Sequence, residues 1–173
     1  MPFAPFIVTA ELPPDVLAWA DALRRAHFPA ERNHLAAHVT LFHALAPSLR
    51  DELKPLLVKV AAANAPPHAR ITGLMNLDRG TALAIDCPAM LALRQSLADR
   101  FHGALTAQDQ HVPRLHITIQ NKVTADAARA LHTELAQTPL ARDFRFAGLG
   151  LHLYRGPHWE AVGRWPFRGH QRG

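Results

Sequence analysis

The tripeptide His-x-Thr occurs twice in this chain, as His38-Val39-Thr40 followed by Leu41 and as His116-Ile117-Thr118 followed by Ile119, and the landmarks around the two copies are spaced alike. Val8, in the first apolar run, lies 30 positions before His38, and Ile85 lies 31 before His116. Gly73 of Thr72-Gly73-Leu74 follows His38 by 35 positions, and Gly148 of Ala147-Gly148-Leu149 follows His116 by 32. Arg79 and Arg155 follow their histidines by 41 and 39. Landmarks kept at similar offsets mark an internal duplication. Each half then carries one open apolar face, which it must bury against the other. The half-repeats run roughly over 5–80 and 81–166, and no Gly- or Ser-rich linker separates them, so one bilobal domain is expected over 1–173.

Apolar periodicity fills in the halves as strand-helix-strand-helix-strand units. Phe6 to Ala10 reads as a buried strand, and Pro13-Pro14 opens a helix with Val16, Leu17, Ala20, Leu23 and His27 at helical spacing. Ala37 to His43 reads as a strand with His38, Thr40 and Phe42 on one face and Val39 and Leu41 on the other. Ser48 and Asp51 resemble a capping box opening a helix of Leu49, Leu53, Leu56, Leu57 and Val60. Ile71–Leu77 and Thr81–Asp86 form a predicted hairpin around Asp78-Arg79-Gly80. The second half repeats the order, with a helix bearing Leu93, Leu97, Phe101 and Leu105 and a strand over Leu115–Gln120. A helix from about Thr124 to Gln137 follows, then closing strands Phe144–Tyr154 and Trp159–Gly163.

Composition narrows the function classes. The lone Cys87 allows no intramolecular disulfide, which fits a reducing cytoplasmic compartment. No run approaches the length of a membrane span, and MPFAPFIVTAELPPDV meets Glu11 and two prolines before a signal peptide can form, so no membrane partner is expected. The formal charge of +5, with most of the basic residues arginine, suits an anionic partner but equally suits arginines scattered over a solvated surface.

The chemistry lies in the repeated tripeptide. In an extended chain, residues i and i+2 share a face about 6.5 Å apart, so each His and Thr project together. Facing each other across a pseudo-two-fold, the two motifs bring two imidazoles and two hydroxyls to one cleft. One neutral His can accept a proton from water or a ribose hydroxyl while a protonated one supplies the departing oxygen. The threonine hydroxyls can donate to non-bridging phosphate oxygens, where transition-state charge concentrates. Such a set suits cleavage of a phosphodiester without a metal.

The paired His-x-Thr-hydrophobic motifs, the duplicated frame and the opening FIVTAELPP over Phe6–Pro14 resemble the 2H phosphoesterase superfamily, and within it the bacterial 2'-5' RNA ligase-like group that includes RNA 2',3'-cyclic phosphodiesterases. The resemblance implies an α+β fold of two antiparallel sheets related by a pseudo-two-fold axis, with helices outside and a central cleft. It implies a cofactor-free, monomeric enzyme that opens 2',3'-cyclic phosphates of RNA ends or nucleotides to 2'-phosphates, with ATP-independent 2'-5' RNA ligation as the reverse chemistry. By the same resemblance His38 and His116 are the acid/base pair, with His116 as base and His38 as acid, and Thr40 and Thr118 hold the phosphate. Many relatives carry an Arg five positions beyond the second His. Here that position is Asn121, and Lys122 is the candidate to supply the charge.

The competing reading is a non-catalytic RNA- or phosphate-binding module using the same cleft. Zinc is disfavoured, because His34 and His38 at i and i+4 lack the Glu of a His-Glu-x-x-His helix. His43 is expected to be structural or peripheral, and His152, His158 and His170 to lie on surface strands or the tail. Phe42, Tyr154 and Trp159 are candidates to stack on a base or to join the core.

Overall fold

The computed structural model describes residues 4–170. Its elements follow in the order β1 (Phe6–Glu11), α1 (Pro14–His27), β2 (Val39–Leu45), α2 (Arg50–Ala63), β3 (His68–Asn76), β4 (Thr81–Asp86), α3 (Pro88–Arg100), α4 (Ala107–Gln110), β5 (His116–Gln120), α5 (Ala125–Leu135), β6 (Arg142–Arg145), β7 (Gly148–Arg155) and β8 (His158–Pro166). Two four-stranded sheets result, ordered β2-β1-β7-β8 and β5-β4-β3-β6, with every neighbouring pair antiparallel.

The two orders superimpose if β1, β2 and β7 are matched to β4, β5 and β3. In each sheet a motif strand forms the edge, the first strand of the same half lies beside it, and the next strand comes from the other half of the sequence. The halves therefore exchange strands. The segment expected as one strand from Phe144 to Tyr154 is where the exchange happens. It is two strands in different sheets, broken at Phe146-Ala147, because the Phe146 N–H donates to Pro67 O (3.0 Å) ahead of β3 while the Ala147 N–H donates to Glu11 O (2.8 Å) at the end of β1.

Helix α2 packs against β7 and β8, and α5 against β3 and β4. Helix α1, by contrast, lies against β5 of the opposite sheet, and α4 lies against β2. Strand alternation ties the core to the motifs. Val39, Leu41, Ile117 and Ile119 are fully buried while Thr40, His116 and Thr118 between them are only half-buried. Burying each such aliphatic side chain contributes about 1.5–3 kcal/mol, so the core faces fix where the motif side chains point.

Three local expectations are corrected. Phe42 does not share the open face with Thr40: β2 bulges against β1, where Val8 pairs with Phe42 but Thr9 with Thr40, and both Leu41 and Phe42 turn into the core. Ser48 caps nothing, because it sits inside a 3-10 turn over Pro47–Leu49 and α2 starts only at Arg50 without a side-chain cap. The short helix α4, absent from the sequence reading, is held by Thr106, whose hydroxyl accepts from Asp109 N (3.3 Å).

Candidate active site

His38 directly precedes β2, and His116 opens β5. Their rings are tethered alike. His38 Nδ1 lies 2.8 Å from Ala36 O, and His116 Nδ1 lies 2.6 Å from Arg114 O, in each case the carbonyl two residues back. A carbonyl only accepts, so Nδ1 carries the proton in both rings and Nε2 is the nitrogen left to meet a ligand. The two rings thus hold the same tautomer. Strands β2 and β5 are the edges of their sheets, and their Cα atoms approach within 8 Å.

The environment of His38 favours the neutral imidazole. Burial is the main cause and pushes its pKa down to about 4; positive charge on Arg24, His152 and His116 adds to this, against the opposing hydrogen bond to Ala36 O.

Two buried arginines brace the facing edges. Arg24 of α1, 3% exposed, donates from Nη1 to Thr118 O (2.7 Å) and from Nε and Nη2 to Asn33 Oδ1 (3.2 and 3.0 Å), with its guanidinium 4.4 Å from the Phe28 ring centroid. Arg94 of α3, also 3% exposed, donates from Nε to Leu41 O (3.1 Å) and from Nη2 to Asp109 O (2.5 Å), over the Phe42 ring. Each helix thus reaches out of its own half to hold the other half's motif strand. Asp109 continues the brace by accepting from His43 N (2.8 Å) and Ala44 N (2.9 Å), and its carboxyl pKa is lowered despite burial because His43 and these amides favour the charged form. His43 is therefore structural through its bonds to Asp109, not through strand alternation, which the bulge at Leu41-Phe42 interrupts.

The fold agrees with what the chain is similar to. The model of the 2'-5' RNA ligase superfamily matches residues 12–158. The chain belongs to that superfamily, the 2H phosphoesterases. Among solved structures, TT0787 of Thermus thermophilus shares the fold with a TM-score of 0.67 at 16% identity, over 96% of this chain and 100% of its own. E. coli LigT complexed with NADP+ gives a TM-score of 0.60 at 16% identity, covering 96% of this chain and 99% of that one. E. coli LigT complexed with 3'-AMP gives 0.57 at 17%, over 95% and 98%. No curated protein matches the sequence. Membership in the superfamily carries a phosphoesterase- or ligase-type activity, and the two-sheet α+β fold expected from the sequence is the fold observed.

Within this 2H frame, Lys122 lies apart from the motif strands' hydrogen-bonded network. It is exposed, in a turn with φ +60°, its N–H taken by Asn121 Oδ1 (2.9 Å), and it lines a groove with Arg24, Arg32, Tyr154 and Trp159. The buried Arg24 beneath Thr118 O is the cation closest to the second motif in the hydrogen-bond network, and its position on α1 gave no sign of this in the sequence. Trp159 meets His38 edge-on, with ring centroids 4.7 Å apart, and His152 at 5.7 Å. Tyr154 is half exposed, and His158 is exposed against His34. Among the described residues, no three His, Cys, Asp or Glu side chains converge as metal ligands, and no helix is long and apolar enough to cross a membrane.

His152 corrects another expectation. Its side chain is only 12% exposed and faces the cavity beside His38, because β7 is an inner strand of its sheet. Thr9 and Glu11 share that cavity. Their i and i+2 spacing in an otherwise apolar strand was the available sequence signal, which the continuous run FIVTA obscured.

Proposed function

We propose that this 2H phosphoesterase opens 2',3'-cyclic phosphates, at RNA ends or in nucleotides, to 2'-phosphates by metal-independent acid/base catalysis at His38 and His116. The observation that carries this reading is the matched tether: each ring donates Nδ1–H to the carbonyl two residues back and keeps Nε2 for proton transfer. In hydrolysis, water forms the new O–P bond and gives its proton to one Nε2. The P–O3' bond breaks, and the other Nε2 gives its proton to O3'. Thr40 and Thr118, each two residues beyond its histidine, donate to the non-bridging oxygens. An RNA 5'-hydroxyl in place of water gives a 2'-5' linkage by the same steps.

In the free protein His38 is neutral at pH 7, which makes it a proton acceptor. The division of labour implied by the family resemblance, His116 as base and His38 as acid, therefore requires the substrate's phosphate to return a proton to His38. An anion beside the ring acts in that direction. Lys122 contributes through the groove it lines rather than through the motif face, where it meets the strand entering the cleft. The protein acts as a monomer in the cytoplasm. The test is turnover of 2',3'-cyclic mononucleotides and cyclic-ended oligoribonucleotides in the presence of chelator, with the product identified as a 2'-phosphate.

A further inference from the structure

The cavity beside His38 has polar equipment that acid/base cleavage of a phosphate does not use. It holds about 240 Å³ and is walled largely by apolar groups, among them Leu12, Leu17 and Trp159. That is just below the ~300–1,000 Å³ of sites for drug-sized ligands and suits a single ring system. Its floor is the open face of the β2-β1-β7-β8 sheet. One cross-strand row runs Thr40, Thr9, Gly150, Arg164, so the floor is continuous with the first motif threonine. Glu11 and His152 flank this row on the same strand faces as Thr9 and Gly150.

Glu11 is the group that needs explaining. Its side chain is 23% exposed, and its one hydrogen-bond donor among the described residues is the Thr9 hydroxyl at 3.3 Å, which is itself 3.0 Å from His152 Nε2. Arg164 Nε at 3.8 Å and His152 Nε2 at 3.9 Å are near enough to orient the carboxylate but too far to hydrogen-bond it. A carboxylate can accept about four hydrogen bonds, so most of this capacity is unused. Burial raises the Glu11 pKa, as expected for a carboxylate short of donors. Gly150 makes room for it, since a Cβ there would strike Glu11 Oε1 and Thr9 Oγ1. On the other sheet the positions beside the second motif are Ala84 opposite His116 and Ala82 opposite Thr118. The two lobes share motifs but not this polar floor, which marks it as a reader of something asymmetric in the ligand.

We infer that this cavity is a base-reading pocket selective for guanine, with Glu11 accepting from N1–H and N2–H, Arg164 donating to O6, and Trp159 bordering the ring. The inference rests on the cyclic phosphate reading for its placement beside the reacting phosphate. Guanine alone among the four bases presents two adjacent donors to a carboxylate beside an acceptor for a cation. Adenine sets the N1 lone pair against Glu11, and a site built on such donors discriminates against a base that lacks them.

The experiment compares kcat/KM for the 2',3'-cyclic phosphates of guanosine, adenosine, cytidine and uridine, and in parallel measures binding of 2'-GMP and 2'-AMP by calorimetry. Guanosine is expected to lead adenosine by tenfold or more in both. Glu11→Gln, which replaces one acceptor oxygen by a donor, is expected to bring that ratio below threefold. If Glu11→Gln does not fold, Arg164→Ala, on a side chain 69% exposed, is expected to lower the same ratio. Equal use of all four bases, or a variant that loses turnover with the ratio intact, overturns the guanine pocket while leaving the phosphodiesterase reading standing. Absence of turnover on every substrate overturns the phosphodiesterase reading instead, and the binding ratio then decides the pocket by itself.

Discussion

Filling the cleft with a phosphate anion should return a proton to His38. In the free protein burial and the nearby positive groups hold this imidazole at a pKa of about 4, against an ordinary 6.5. That displacement corresponds to roughly 3 kcal/mol in favour of the neutral ring. A phosphate charge about 4 Å away, at an effective dielectric near 20, contributes about 4 kcal/mol in the opposite direction, enough to restore the ordinary range or exceed it. Nitrogen-15 chemical shifts of the His38 ring, followed from pH 3 to 8 with and without saturating 2'-AMP, read both values directly. The same shift has a stability consequence. The folded pKa lies below the unfolded one, so the unfolded chain binds more protons between them, and stability falls as pH drops from about 6.5 towards 4. His38→Gln should flatten that part of the stability curve. A free-protein pKa near 6.5 would refute the burial argument, and a value unmoved by 2'-AMP would show that the phosphate does not sit against this ring.

Other outcomes follow from the packing. Arg24→Met leaves Thr118 O and Asn33 Oδ1 without their donor at a buried site, a loss of about 3 kcal/mol. Thermal melting should fall by about 10 °C. Asp109→Ala removes the acceptor for the His43 and Ala44 amides and should cost about as much, read as a lower urea midpoint with unchanged slope. Gly150→Ala should fold, because the atoms it meets include the end of the flexible Glu11 side chain. It should nevertheless reduce the preference for guanosine substrates by displacing that carboxylate, measured as a kcat/KM ratio.

Much of the architecture was legible because duplication and side-chain periodicity are local signals. The two His-x-Thr copies, the helical stripe of α5 and the Asp78-Arg79-Gly80 hairpin are read from spacing alone, and the structure has them, whereas α3 ends at Arg100 and leaves Phe101 and Leu105 of its expected stripe outside the helix. What spacing cannot show is which sheet a strand joins. Phe144–Tyr154 looked continuous because both parts are apolar, while the break is set by hydrogen bonds from Phe146 and Ala147 to carbonyls far away in sequence. Phe42 was misplaced for a similar reason, since a one-residue bulge reverses the face of every side chain beyond it. The braces Arg24 and Arg94 look like ordinary helix arginines until their partners on the opposite motif strands are known. Thr9 and Glu11 share a strand face by their spacing, but they form a group with His152 only when β1 and β7 pair.

In the proposed reaction two histidines, one from each half, exchange protons across a single phosphate, and this exchange is open to direct measurement. It is tested most directly by phosphorus-31 NMR of 2',3'-cyclic nucleotide turnover in chelator by the unaltered protein, His38→Ala and His116→Ala. The expected result is a 2'-phosphate product from the unaltered protein and a loss of about 10²–10⁴ in rate for each variant, with both folded. A variant retaining activity within a few-fold, or turnover that disappears with chelator, would contradict it.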